Sequence, residues 1–467
     1  MRQHYVPMLD QSSLLLYGYK MVNSVEVIGT QLKARTGRAL AEAVSNAIGS
    51  GLLEPDTKLP PIRTVAASLE MSPSTVSTAW NLLLRAGVIR TDGRRGTMVS
   101  SLARPGPTRY RRALQHESSM GLDLSSGIPD AALLPDLSAA LRNLRPSWQQ
   151  NYLDDPMLPE LKDVLLSDWP YQPDRLTIVD GAMDAIDQVA SHLIRIGDTV
   201  IVEHPTFPPF LDLLDALGAR TIGVDVDDEG ILPEQLEAAL TTGAKTLLLQ
   251  PRSHNPTGVS MSTPRAKALS AVLSSWSGWI IEDDSAGSIS LRAPISLGQW
   301  LPDRTVHIRS FSKSHGPDLR LAAVSGPANL MDAIIERRML GQGWTSRLLQ
   351  SLLLDLLERP ETIAQVSRAK TIYAERRAKV VAELSRLDVT TIGADGLNIW
   401  LPVEHETAAM LSLASRGVAV AAGGPFATKL DDVDHLRVTV SSVSQDFEAL
   451  ASNLRDASMA APTWGPR

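Results

Sequence analysis

The chain has no cysteine among its 467 residues. That excludes disulfides, thiolate zinc sites and thiol catalysis, and it agrees with a reducing, cytoplasmic setting. No apolar run approaches the roughly 20 residues of a membrane-spanning helix. The N-terminal stretch carries only a short apolar patch, Leu14 to Leu16, without a signal peptide's longer apolar core or small-residue cleavage site, and Met21 is a second candidate start. The expectation is a cytoplasmic protein that no membrane holds. Internal repeats are also missing. What is present is ordinary for a globular chain: 43% hydrophobic and 21% charged residues, in a length that predicts two or three domains.

Charge is unevenly spread. Residues 31–104 hold ten Lys/Arg against five acids, although the whole chain carries −7. A basic head on an acidic body suits an anionic polymer at the head; a solvated basic face would give the same count. Residues 1–30 show no clear period and read as an N-terminal extension. Residues 31–100 read as a compact helical unit ending in a hairpin. Residues 101–121, SLARPGPTRYRRALQHESSMG, read as a linker on their Pro, Gly, Ser and basic content. From Leu122 to residue 467, short apolar runs alternate with helical patterns, at Leu176–Val179, Thr199–Glu203, Thr221–Val226, Thr246–Gln250, Trp279–Glu282 and Val306–Ser310. That alternation predicts βαβ units, hence an α/β body with a mainly parallel sheet, and the last stretch, about 385–467, reads as a smaller α+β subdomain.

In the head, Leu40, Val44 and Ile48 share a helical face, and Gly49 to Gly51 end that helix. Pro60 and Pro61 suit the first turn of the next helix, striped by Ile62, Val65, Ala66 and Leu69. Ser72 is a good N-cap and Pro73 a good first residue for a third helix, whose stripe is Val76, Ala79, Trp80 and Leu83. Ser74, Thr75, Ser77, Thr78 and Asn81 fall on its other faces. Val88–Arg90 and Thr97–Val99 flank the tip DGRRG. Two short helices, the second small and polar at its start, can enter a major groove, where hydroxyls and helix N-terminal amides meet phosphates and base edges. Arg63 would face the backbone, and Arg94 and Arg95 at the tip would reach phosphate or the minor groove. Thr78 and Asn81 could equally be solvated surface, and the whole unit could be a structural three-helix cap.

Leu59–Val99 resembles the winged helix-turn-helix of the GntR family, with nearly every landmark of that pattern in place. Pro73 stands where the family often has Arg, which implies one phosphate or base contact fewer.

Five segments of the body carry chemistry together. In VDGAMDAID, Gly181 and Ala182 would open a helix whose amides can approach a phosphate, or simply pack closely against the sheet. In EHPTFPPF, Phe207 follows a strand, placed to stack on a flat cofactor or to fill the core. HNPTG puts Asn255 in a turn at a strand end, which could be no more than a turn. IIEDDS closes a hydrophobic strand with two acids; a protonated pyridine nitrogen could pair with Asp283, and a metal or a helix N-terminus could also use the pair. IRSFSKSHGPDLRLAAV brings Ser310, Ser312, Lys313 and Arg320 together: a desolvated lysine is a carbonyl nucleophile, and two hydroxyls with a guanidinium suit a phosphate.

In order and spacing these segments resemble the fold-type I aminotransferases that use pyridoxal 5'-phosphate (PLP), and the likeness extends to YLDDP (152–156), GLNIWLP (396–402) and HLRVTV (435–440). The resemblance implies that Lys313 forms the Schiff base, Asp283 pairs with the pyridine nitrogen, Asn255 bonds the ring hydroxyl and Phe207 stacks on the ring. It further implies that Gly181, Ala182, Ser310, Ser312 and Arg320 hold the phosphate, that Tyr152 reaches a neighbouring subunit's phosphate in a homodimer, and that Arg437 grips a carboxylate. The joined halves are similar to the MocR-type regulators. That implies a PLP-dependent regulator that binds double-stranded operator DNA and senses a small amine, an amino acid or a vitamin B6 vitamer; the alternative is an active aminotransferase tethered to DNA by its head. Departures bear on catalysis: Ser285 replaces a usual Tyr, Met183 a polar residue, Met157 a Gly and Lys162 an Arg. No metal is expected.

Overall fold

A computed structural model describes residues 24–49, 52–85, 87–92, 96–100, 108–114, 121–144, 154–429 and 433–461. Apart from two short segments, Arg195–Asp198 and Asp212–Arg220, the chain forms one compact unit before Thr108 and another from Thr108 onward.

The first unit is helical with one hairpin. A helix over 24–31 (α1) precedes α2 (Gly37–Gly49), α3 (Ile62–Ser68) and α4 (Pro73–Arg85). Strands β1 (Ile89–Asp92) and β2 (Gly96–Val99) pair antiparallel, from Ile89 opposite Val99 to Asp92 opposite Gly96. The expected stripes meet in one core: Leu40, Val44, Val65, Ala66, Val76, Ala79, Trp80 and Leu83 are all buried. Ser72 accepts a hydrogen bond from the Thr75 amide at 3.1 Å, which caps α4 and satisfies one of its free N–H groups. Pro61 sits at the N-cap position of α3, so the helix begins at Ile62, just after the two prolines expected in its first turn. Residues 24–31 differ from expectation, because a two-turn helix shows too few periods to read. Ile28 is fully buried in the head core, so tertiary packing stabilises a segment that local pattern does not announce.

The second unit is built on an eight-stranded sheet in the order β4-β11-β10-β9-β8-β5-β6-β7. These strands are β4 (Arg175–Val179), β5 (Thr199–His204), β6 (Arg220–Asp227), β7 (Gly230–Ile231), β8 (Thr246–Leu249), β9 (Trp279–Asp284), β10 (Thr305–Ser310) and β11 (Ala322–Gly326). Strands β5, β8, β9 and β10 run parallel. Their near-complete burial explains why they read as unbroken apolar runs rather than alternating ones. Strand β11 is antiparallel to both β10 and β4, so β4 points the same way as β10. Sequence reading did not mark β11, whose AAVSG is poor in the β-branched residues that signal a strand.

A second sheet has the order β12-β14-β13-β3, from β12 (Asn398–Val403), β14 (Asp434–Thr439), β13 (Val418–Ala422) and β3 (Leu122–Leu124). Its core joins Leu124 to Ile399, Val420, Leu436 and to Leu454 of the last helix. The smaller sheet thus takes its edge strand from the start of this unit, far in sequence from the expected stretch 385–467. Residues 101–121, expected as linker, contain α5 (Thr108–Ala113). Ala113 is buried there with Trp400, Ala421 and Phe426, a contact no local pattern reveals.

Candidate functional site

Five strands of the large sheet deliver chemistry at their C-terminal ends, where α/β sheets leave a crevice. After β4, Gly181 is the N-cap of the helix Ala182–Leu193 at φ 105°, a conformation that favours glycine. A Cβ there would stand 3.1 Å from the Arg320 guanidinium. The bare backbone leaves the helix N-terminus and Arg320 close together, as an anion-binding cup requires. Arg338 braces this turn, donating to Asp180 and Asp184 at 3.0 Å each. Phe207 follows β5, with its ring edge-on to Phe210 at 5.4 Å.

After β8, Gln250 spans three parts of the site. Its side-chain N–H donates to Asp283 at 2.7 Å and to Ser285 at 3.3 Å, while its carbonyl accepts from the Asn255 amide at 2.9 Å. Asp283 is buried near the end of β9. One of its oxygens takes the Gln250 bond, and Oδ1 has no hydrogen-bond partner. Burial lifts this carboxyl to about 6, against the opposing pull of the Gln250 bond and Lys313. Its neighbour Asp284 serves structure: Arg252 holds it through two contacts of 3.2 and 2.5 Å. No cluster of possible metal ligands occurs among the described residues.

Beyond β10, Ser310 accepts from the Ser312 amide at 3.3 Å, and Lys313 follows, half-buried. Desolvation holds the Lys313 ammonium below its ordinary range, opposed by the charge of Asp283. From the smaller sheet, Arg437 is almost fully buried. It donates to the Ser125 carbonyl and, at 3.4 Å, to Asn255, and burial pulls it down to about 10. A cavity of about 180 Å³ is lined by Lys313, Asp283, Asn255, Phe207, Ala182, Ser310, Ser312, Arg320 and Arg437, with Gly181 behind Arg320.

The residues expected at this site from six separate segments therefore meet around one space. Tyr152 lies outside the described residues. Sequence reasoning missed Gln250 and Tyr110. Gln250 closes a predicted strand, and no motif reading singles out a lone amide there. Tyr110 sits in a stretch that composition marks as linker, and its side chain lines this cavity.

In the head, Arg63, Ser74 and Thr78 are exposed, and Thr75 and Ser77 are half-buried. Ser72 shares hydrogen bonds of 2.7 Å with both the Ser74 and Thr75 hydroxyls, so the start of α4 presents a connected hydroxyl cluster. Thr78 donates to the Ser74 carbonyl at 3.0 Å, and its methyl packs near Gly37. These contacts tie Thr78 to the head's own structure. Arg94 and Arg95 lie outside the described residues.

Could the body hold PLP? The unpartnered Asp283 oxygen offers an acceptor for a pyridinium, Lys313 a desolvated amine, and the Gly181 turn with Arg320 an anion cup. The donor set fits the group.

Comparison with known proteins gives the same division. Residues 36–99 match the family described as bacterial regulatory proteins, gntR family. Residues 119–454 match aminotransferase class I and II. The vitamin B6 salvage pathway transcriptional repressor PtsJ of Salmonella typhimurium is 33% identical over 91% of this chain and 99% of its own. The probable rhizopine catabolism regulatory protein MocR of Rhizobium meliloti is 26% identical over 80% of each chain. Among solved structures, a kynurenine aminotransferase of Pyrococcus horikoshii superposes with a TM-score of 0.67 over 76% of this chain and 95% of its own, at 21% identity, which shows a shared fold.

Proposed function

Since the chain belongs to the MocR-type transcriptional regulators, in which a GntR-type DNA-binding domain is joined to a class I and II aminotransferase domain, we propose that its body binds PLP at Lys313 and that a vitamin B6 vitamer is the signal it converts into a change in operator binding. The observation that carries this reading is the pairing, in one cavity, of desolvated Lys313 with an Asp283 oxygen that has no partner. The vitamer is favoured by the likeness to PtsJ, whose name places that protein in vitamin B6 salvage. Arg437 in the same cavity favours a second reading, in which an amino acid carboxylate is the signal.

PLP, when bound, supplies an aldehyde that a primary amine can attack and a ring that withdraws electrons. This chain's residues prepare for both. Burial biases Lys313 toward its neutral, nucleophilic form. Asp283 would hold a proton at the pyridine nitrogen, and Gln250 fixes the orientation of that carboxylate. Gly181, Ala182, Ser310, Ser312 and Arg320 would grip the phosphate, Asn255 would bond the ring hydroxyl, and Phe207 would cover the ring. Ser285 offers a hydroxyl to Gln250 where related enzymes have a phenol, which weakens the case for efficient transamination.

The head would act over 31–100 and the body over 122–467, joined by 101–121, with a small subdomain at about 385–467. The protein would work in the cytoplasm as a homodimer, Tyr152 serving the neighbouring subunit's phosphate; among the described residues no helix is long and apolar enough to cross a membrane. Arg63, Arg94 and Arg95 would contact the DNA backbone and Ser74, Thr75, Ser77 and Thr78 the groove. The test is borohydride reduction of protein supplied with PLP, followed by peptide mapping. The expected result is a visible band that reduction bleaches, with the label on Lys313. A label elsewhere, or no band, overturns the proposal.

A further inference from the structure

Tyr110 belongs to α5, on the segment that leads toward the head, yet its side chain lines the cavity that holds Lys313. Its ring meets Phe207 edge-on, 5.9 Å between centroids and 75° between planes, a favourable aromatic geometry. Farther along the helix, Ala113 is fully buried beside Phe426, whose ring lies 5.1 Å from the Arg437 guanidinium carbon. Both anchors of α5 therefore touch residues of the pocket or their immediate neighbours.

A helix of six residues lies far below the roughly 12–15 at which isolated helices become even marginal. Docking must hold it. Ala113 and the Tyr110–Phe207 pair both contribute to that docking, and the pair lies where whatever fills the pocket can act on it. The cavity of about 180 Å³ is smaller than the roughly 300–1,000 Å³ usual for ligand sites. A planar ring covered by Phe207 would take up space in this cavity beside the Tyr110 side chain.

We propose that Tyr110 is a ligand-contacting residue of this pocket, and that a bound pyridine phosphate of the vitamin B6 class locks α5 in its docked position, so the linker itself reads whether the pocket is full. This rests on the coenzyme reading above and adds to it the contact and the segment that carry the signal.

Trypsin tests this, because Arg111 and Arg112 are exposed on α5. The full chain is digested with and without saturating PLP, and cleavage after these residues is followed by mass spectrometry while absorbance reports coenzyme bound. If docking and binding are linked, PLP slows cleavage in α5 at least about tenfold. Tyr110→Ala then loses the protection and needs more PLP to reach the same absorbance band, whereas Tyr110→Phe, which preserves the ring contact, behaves as the wild type. A band in the wild-type protein with α5 cut at an unchanged or faster rate overturns the proposal alone, as does full protection in Tyr110→Ala. Failure of wild-type protein to develop any band overturns the coenzyme reading and this proposal with it.

Discussion

The head and the body of this chain put their chemistry in opposite places. In the head the groups expected to meet DNA are on the surface: Arg63 and Ser74 are exposed, and the hydrophobic stripes behind them make the core. In the body the groups expected to meet a ligand are inside: Asp283 and Arg437 are almost fully buried, and each is held by polar neighbours. A surface site can change without touching the fold, because water replaces whatever is removed. A buried site cannot, since each charge in it carries a desolvation cost that only a partner offsets. Substitution of the partner-facing groups should therefore act differently, changing function alone in the head and function together with stability in the body.

The largest expected effect is at Lys313. Lys313→Ala should abolish borohydride-fixed label entirely and erase any PLP-dependent change in operator binding, while binding to an operator selected from random duplexes persists. Loss of that DNA binding as well would break the separation of the two regions. Next is Asp283. A shift from 3.8 to about 6 is worth about 3 kcal/mol. The folded carboxyl keeps its proton to higher pH than the unfolded one, so stability of the coenzyme-free protein should decline as pH rises through that window, with the penalty complete at neutral pH. Asp283→Asn should then raise the thermal midpoint of coenzyme-free protein at pH 7.5 while weakening PLP binding. A lower midpoint would show that the carboxylate is not a burden in the folded state. In the wild type, PLP affinity should fall as pH drops below about 6, by up to about tenfold per unit, because binding then displaces a proton.

Effects in the head should be smaller and cleaner. Arg63→Ala should weaken operator binding about tenfold and lower its salt dependence by about one ion, with thermal midpoint and PLP band unchanged. An unchanged affinity would remove Arg63 from the DNA face. The smallest effect is expected at Ser72, where Ser72→Ala should cost the head about 1 kcal/mol through loss of the α4 cap, measured by chemical denaturation. It would also loosen Ser74 and Thr75, so a modest loss of affinity should accompany it.

Much of this contrast was legible in the residues. Periodicity of Val76, Ala79, Trp80 and Leu83 marked the helix, and Ser72-Pro73 marked its start, because capping and amphipathic burial are local rules. The parallel strands β5, β8, β9 and β10 were visible as apolar runs for the same reason. Helix 24–31 and strand β11 were not, since a short helix and an Ala-rich strand owe their form to partners distant in sequence. Gln250 illustrates the limit at the site: its importance lies in bridging Asp283, Ser285 and Asn255, and no property of glutamine at that position signals it.

The sequence by itself determined the two-part organisation, the mainly parallel sheet of the body and the residue types at each strand end, because hydrophobic period, turn chemistry and charge act over a few residues. Only the tertiary structure decided that Asp283 keeps one oxygen without a partner, that Asp284 belongs to Arg252, that the small sheet borrows Leu122–Leu124, and that Tyr110 of the expected linker enters the pocket. Each of these depends on which groups burial brings together and what it leaves unpaired, and desolvation acts in space, between segments that no local pattern connects.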